Sequence, residues 1–187
     1  MSAPRERADA ARNRARVLAA AEGLFADRGA RNVTMDDIAK AAGVGRGTLY
    51  RRYPDRAAIA LALLDEHERV LQEDLMRGEP PLGPGAPPRD RLAAFYAAMV
   101  SLLDRHSHLA LGAEVGHSRF TTGAYGFWRA HVRALLVDAG TPDPDALVDV
   151  VLAPLAPEVF RHQREERGLS TERITAGLRA VANGLLP

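Results

Sequence analysis

The chain of 187 residues contains no cysteine, and only 5% of its residues are aromatic. Without cysteine, neither a disulfide nor a thiolate metal site can form. No stretch approaches the roughly 20 apolar residues that a membrane span needs, and no secretory apolar run follows the amino-terminal charges. These absences predict a cytoplasmic protein with no membrane partner.

The spacing of the apolar residues predicts an all-α protein. At 47% hydrophobic, the chain can bury a sizeable core, and its second half has helical rather than alternating apolar patterns. The prolines and glycines of Glu79–Pro88 predict an exposed loop, and Pro154 and Pro157 should break the segment that contains them. Helices are expected over residues 10–28, 35–42, 46–53, 55–77, 89–106, 108–115, 123–139, 145–167 and 171–186.

The stretch from Val33 to Arg56 can be read almost residue by residue as two short helices around a turn. Thr34 and Asp37 have the spacing of a capping box, which begins the first helix. Gly43 is suited to the positive φ that ends a helix, and Val44 supplies the apolar residue of the turn. The inward face of the first helix is predicted to be Met35, Ile38, Ala39 and Ala42.

The second helix, from about Arg46 to Tyr53, presents a face with the chemistry of a DNA reader. Arg46 can offer two hydrogen bonds to guanine, Thr48 a hydroxyl or methyl group, and Tyr50 a phenol to a phosphate. Helix, glycine turn and helix is the arrangement that places a recognition helix in a major groove. The outward residues expected to face DNA are Arg46, Gly47, Thr48, Tyr50 and Arg51.

Asp55 is expected to cap the following helix, which leaves Arg56 in its first turn. A cation there is disfavoured by the helix dipole. A DNA phosphate would reverse that penalty, so Arg56 is predicted to contact the backbone.

The balance of basic and acidic residues changes after residue 56. Residues 1–56 hold 12 Lys and Arg against 7 Asp and Glu, whereas residues 57–187 hold 13 against 17. A basic segment that carries the groove-facing helix is the expected footprint of DNA binding, although a basic face can also be merely solvated. We therefore predict a DNA-binding domain at residues 1–56 and a regulatory domain at 57–187.

At these residues the chain resembles the TetR family of bacterial repressors over roughly residues 16–60. The residue types that carry the resemblance are Thr34, Ile38, Ala39, Ala42, Gly43, Val44, Thr48, Leu49, Tyr50, Tyr53 and Arg56. The resemblance implies DNA contacts by Thr34, Arg46, Thr48, Tyr50 and Arg56. Gly45 departs from the pattern, which often has a serine cap there, so the start of the recognition helix is expected to be looser.

The resemblance also implies a ligand pocket among the middle helices. The candidates for its wall are Leu63, Phe95, Met99, Leu103, Phe120, Phe127, Trp128 and His131, although each could equally be plain core. The histidines at 106, 108, 117 and 131 match no compact metal motif. We therefore predict a small organic effector, mostly apolar, with no metal and no cofactor.

The last two helical segments are where the resemblance places a homodimer interface. Their apolar residues could form an antiparallel four-helix packing between two chains, or could be intrachain core. A two-fold dimer would hold its recognition helices about 34–36 Å apart and read an approximate palindrome. The residues concerned are Leu152, Leu155, Val159, Phe160, Ile174, Leu178, Val181 and Leu185.

The function expected from these features is a transcriptional repressor that a small organic effector releases from a palindromic DNA operator. A small-molecule-binding module without specific DNA recognition is the alternative. An enzyme is not expected: Gly116–Phe120 only half matches a nucleophile elbow, and Gly43–Gly47 lacks the lysine of a phosphate loop.

Overall fold

The computed structural model describes residues 3–110 and 123–186, and within these ranges the chain is helical with no strand. None of the helices described there combines the length and the apolarity needed to cross a membrane. The helices are α1 (Ala3–Arg28), α2 (Met35–Ala42), α3 (Arg46–Arg52), α4 (Arg56–Arg77), α5 (Pro88–Ala110), α6 (Gly123–Asp138), α7 (Pro144–Leu152), α8 (Pro157–Arg161) and α9 (Thr171–Leu185). The all-α prediction is confirmed.

The chain forms two compact units, Met1–Glu66 and His67–Pro187. Helix α4 is continuous and contributes residues to both. The boundary between the units falls inside α4, ten residues after the division predicted between residues 56 and 57. That functional division stays a prediction.

In the first unit, α1 packs on α2 and α2 packs on α3. Val17, Ile38 and Leu49 are buried there, one from each helix. Helix α1 begins at Ala3 rather than near residue 10. The reason lies in the composition of that stretch, because alanine, arginine and glutamate favour helix and proline is tolerated in a first turn.

Gly43 controls the turn between α2 and α3. Its backbone is left-handed, with φ 61° and ψ 39°, and its N–H donates to the carbonyls of Ala39 and Lys40. The amide of Val44 also donates to Ala39, over 3.0 Å. From α1, the Arg16 guanidinium donates to the Gly43 carbonyl at 2.8 Å. The Gly43 turn is therefore held through its N–H by α2 carbonyls and through its own carbonyl by Arg16.

In the second unit, α5 packs against α6, α8 and α9, and α6 packs against α7. Phe95 and Tyr96 of α5 are fully buried at the centre of this core. The Tyr96 hydroxyl donates to the Val151 carbonyl over 2.9 Å, and burial raises the pKa of that phenol. The polar end of Tyr96 is thus satisfied within the core.

One expectation about this unit needs correction, and another agrees with the structure. Helix α5 passes through residue 107 without the break expected there, because neither proline nor glycine interrupts that stretch; residues 111–115 lie outside the described ones. The segment 145–167 is divided as its prolines predicted, since a 3-10 turn at Ala153–Leu155 separates α7 from α8 and a π-helical turn, His162–Glu166, follows.

The apolar residues assigned to a dimer interface mostly belong to the core of the single chain. Val159 and Val181 alone among the eight are exposed, at 38% and 47%, and Leu185 is partly buried. For the others the alternative of intrachain core agrees with the structure, because they are already buried by helices of the same chain. The residues buried within the chain are Leu152, Leu155, Phe160, Ile174 and Leu178.

His131 lies at the edge of the same core, with its ring 5.4 Å from that of Phe95. Its Nε2 is buried and has no hydrogen-bond partner among the described residues. Burial, assisted by the charge of Arg91, lowers the pKa of His131 to about 4. The imidazole is therefore neutral at pH 7.

We predict that Gly43→Ala destabilises the fold by about 1–2 kcal/mol, because a left-handed L-residue is strained. The added Cβ would also meet Arg16 Nη2 at 2.5 Å. Gly47→Ala is the matched control: its Cβ would meet nothing within 4 Å, and alanine in a helix interior should stabilise by about 0.5–1 kcal/mol. Urea denaturation followed by circular dichroism measures both; equal shifts in the two variants would contradict the role of the Gly43 turn.

We predict that the free energy of unfolding falls by about 2 kcal/mol between pH 7 and pH 5 through His131 alone. The unfolded chain takes up a proton near pH 6.5, whereas the folded chain does so only near pH 4, so acid favours unfolding across that window. Urea titrations at both pH values should show this loss in the wild type and not in His131→Gln. Parallel pH dependences of the two proteins would contradict it.

Candidate nucleic-acid interface

The start of α2 has the capping box predicted for it. The Asp37 amide donates to Thr34 Oγ1 at 3.1 Å, and the Thr34 amide donates to Asp37 Oδ2 at 2.9 Å. The Thr34 hydroxyl also lies 2.6 Å from the same carboxylate oxygen. These bonds lower the pKa of Asp37. Because its hydroxyl proton is directed to Asp37, Thr34 must exchange that partner before it can donate to a phosphate.

Helix α3 presents the outward face that the sequence predicted. Thr48 and Arg51 are exposed, and Tyr50 is 48% exposed. Leu49 is buried at 1%, which fixes the opposite face toward the first unit's core. No side chain caps α3 at Gly45, and the looser start expected there stays a prediction. The DNA contacts themselves stay predictions.

Arg46, the residue expected to read guanine, forms an ion pair with Asp36 of α2. Both side chains are well exposed, at 69% and 45%. A surface pair of this kind contributes about 0–1 kcal/mol. Arg46 can therefore leave Asp36 for a base edge at small cost.

Arg56 has a role inside the chain that the sequence did not predict. Its Nη1 lies 2.8–3.0 Å from the carbonyl oxygens of Ala30, Arg31 and Val33. These carbonyls belong to the connection between α1 and α2, which Arg56 thus ties to the start of α4. The bonds all use Nη1, so the other guanidinium N–H groups remain available to a phosphate. Asp55 caps α4 as predicted, accepting from the Ala58 amide at 2.8 Å.

The structure brings most of the predicted pocket residues together in the second unit. Phe95, Met99, Leu103 and Trp128 share one core cluster, and Phe127 packs against it. The Phe95 and Trp128 rings lie 6.0 Å apart. Leu63 belongs to the first unit, and Phe120 lies outside the described residues.

One of the weighed histidines, His106, lies beside another histidine. His106 Nε2 lies 2.6 Å from Nδ1 of His67, which the sequence had not singled out. In the part of the chain that the structure describes, no three His, Asp or Glu side chains are placed to hold a metal. His117 falls outside that part.

Two residues of the interface escaped sequence reasoning. Asp36 pairs with Arg46, and Arg16 holds the Gly43 carbonyl. Both contacts join separate helices, the second across 27 positions. In the sequence, the charge of Asp36 and of Arg16 was the one feature that indicated such a contact, and charge alone does not identify a partner.

Comparison with known proteins places this geometry in a family. Residues 17–63 match the family described as bacterial regulatory proteins, tetR family. An uncharacterized HTH-type transcriptional regulator of Mycobacterium tuberculosis is 43% identical over 61 residues, which cover 33% of this chain and 30% of that protein. The chain thus matches about a third of the length of this curated relative.

Solved structures resemble the chain over nearly its whole length. A protein from Rhodococcus sp. assigned to the TetR-family transcriptional regulators has a TM-score of 0.64 at 20% identity, covering 95% of this chain and all of that one. A transcriptional regulator from Saccharomonospora viridis, solved in complex with choline, has a TM-score of 0.66 at 19% identity and covers 92% and 96%. At these identities the likeness shows the fold alone.

The amino-terminal match and the shared fold agree with the capping box, the Gly43 turn and the exposed face of α3. Residues 17–63 thus match the family of bacterial regulatory proteins described as tetR, and the all-helical chain that continues from them shares the fold of solved regulators.

Proposed function

We propose that this chain is a sequence-specific transcriptional repressor that binds a palindromic operator as a homodimer and is released by a small organic effector. The observation that carries the proposal is the outward face of α3. Arg46, Thr48, Tyr50 and Arg51 are exposed together on a short helix that follows a rigid glycine turn. Guanidinium and hydroxyl groups on such a face are suited to base edges and phosphates.

The homodimer is supported by the exposed side of α9. Gly177, Val181 and Gly184 are all exposed there and lie at helical spacing on one side. Small residues let two helices approach closely, and Val181 provides apolar area at the centre. A two-fold pair of chains would give two copies of α3 the spacing of one DNA turn.

The effector is proposed to bind among the aromatic residues around Phe95 and Trp128. The Nε2 of His131 offers one polar group without a described partner beside them, which suits a mostly apolar molecule with one hydrogen-bonding group. A neighbour in fold was solved with choline, so a related scaffold accommodates a small organic molecule. Helix α4, which contains residues of both units, is the proposed route of coupling.

Selection of binding sites from random duplexes tests the function. We expect an approximate palindrome whose half-sites are centred about 10–10.5 base pairs apart, or a multiple of that spacing. Absence of any selected sequence would favour the alternative of a binding module without DNA specificity. On the selected duplex, an effector that occupies the core should weaken binding by about 5- to 150-fold. Unchanged affinity with the core demonstrably occupied would contradict release.

We predict that Arg46→Ala relaxes base preference at one position of each half-site and costs about 1–3 kcal/mol of binding. Repeating the site selection with the variant measures the preference, and gel shift measures the affinity. Tyr50→Phe is the comparison: loss of one phosphate hydrogen bond should weaken all duplexes alike, by about 1 kcal/mol. A selected motif that Arg46→Ala leaves unchanged would remove Arg46 from base readout.

A further inference from the structure

A groove within the first unit lies between the amino-terminal half of α1 and helix α3. Its volume is about 430 Å³, within the range of small-molecule sites. Asn13 and Val17 line it from α1, and Thr48 and Leu49 line it from α3. Because both walls belong to one compact unit, the groove is complete in a single chain.

The walls of the groove favour an anion. Three arginines, Arg14, Arg51 and Arg52, line it against one carboxylate, Asp9, and Asp9 is already paired with Arg12. Arg14 reaches Glu66 over 3.4 Å. Within the described residues Arg51 has no ion pair or hydrogen bond, so its guanidinium is available. Arginine suits planar two-oxygen acceptors such as carboxylate and phosphate.

The groove is also lined by buried apolar side chains and by Tyr53. Val17 and Leu49 are buried at 4% and 1%, and Tyr53 at 5%. The Tyr53 hydroxyl is buried without a hydrogen-bond partner among the described residues. A buried hydroxyl left unpaired is unfavourable. An acceptor on a bound molecule would remove that penalty.

We propose that this groove binds a compact organic acid, a carboxylate or phosphate monoester with an apolar body. Arg51 and Arg52 hold the acid group, Val17 and Leu49 contact the body, and the Tyr53 hydroxyl donates to the ligand. Because Arg51 and Thr48 also line the groove, the bound acid competes with DNA. The competition rests on the proposed function, whereas the binding itself does not.

The other candidate anion for this groove is a phosphate of DNA. The apolar side chains of the groove distinguish an organic acid from a DNA phosphate. A phosphate of a duplex needs only the arginines, whereas an organic acid also uses these apolar side chains and Tyr53. Phenyl phosphate is therefore the probe, with inorganic phosphate and phenol as its two halves. Binding is measured without DNA, from the backbone amide shifts of the full chain by nuclear magnetic resonance.

We expect phenyl phosphate to shift the amides of Val17, Leu49 and Tyr53 saturably, and each half alone to bind at least tenfold more weakly. Tyr53→Phe should weaken phenyl phosphate about fivefold, as loss of one hydrogen bond implies. The variant should be as stable as the wild type or more so, because it removes an unpaired buried hydroxyl. Tyr50→Phe is the matched control: it loses a phenol three positions before Tyr53, at an exposed site outside the groove, and should bind phenyl phosphate as the wild type does.

Equal affinity for phenyl phosphate and inorganic phosphate would overturn the proposal, since the arginines would then be a plain anion surface. Wild-type affinity in Tyr53→Phe would overturn it as well. Where phenyl phosphate binds but leaves a selected duplex bound, competition with DNA is wrong. Failure to select any duplex would instead count against the proposed function and leave the binding result standing.

Discussion

The left-handed backbone of Gly43 is the constraint on which the reading surface depends. It ends α2 and sets the direction of α3, and its two peptide groups are held by α2 carbonyls on one side and by Arg16 on the other. With Leu49 buried beneath α3, the helix cannot rotate about its own axis without exposing its core contact. The outward groups are therefore presented before any DNA arrives, and less ordering remains to oppose binding.

Most of the polar and charged side chains named for that surface already form bonds within the chain. Thr34 is directed to Asp37, Arg46 to Asp36, and Arg56 to three carbonyls. The exposed ion pair of Arg46 would exchange for a DNA partner at small cost, but Asp36 stays close by. A carboxylate near the groove-facing arginine repels phosphates wherever Arg46 finds no matching base. Selectivity would then come partly from repulsion of wrong sequences rather than from added attraction.

The features that the sequence predicted well are those determined by residues close together in the chain. The capping box of Thr34, the left-handed Gly43 and the cap at Asp55 each depend on residues within a few positions, so the spacing alone sufficed. Contacts between distant helices were missed, as at Arg16 and Asp36. Periodicity also identified the apolar faces of α7 to α9, but it does not say what covers them: Leu178 faces α5 of its own chain rather than a second copy.

The Tyr53 hydroxyl and His131 Nε2 are both buried polar atoms without a partner among the described residues. They lie in different units, and their surroundings differ chemically. Arginines line the groove that contains Tyr53, whereas the Phe95 ring lies beside His131, whose imidazole stays neutral through burial and the charge of Arg91. A small acid is stabilised by the guanidinium groups at the first, whereas at the second most of a ligand would contact apolar rings and one cation is near. A neutral or weakly polar molecule has the opposite preference. The two proposed sites are therefore suited to ligands of different chemistry.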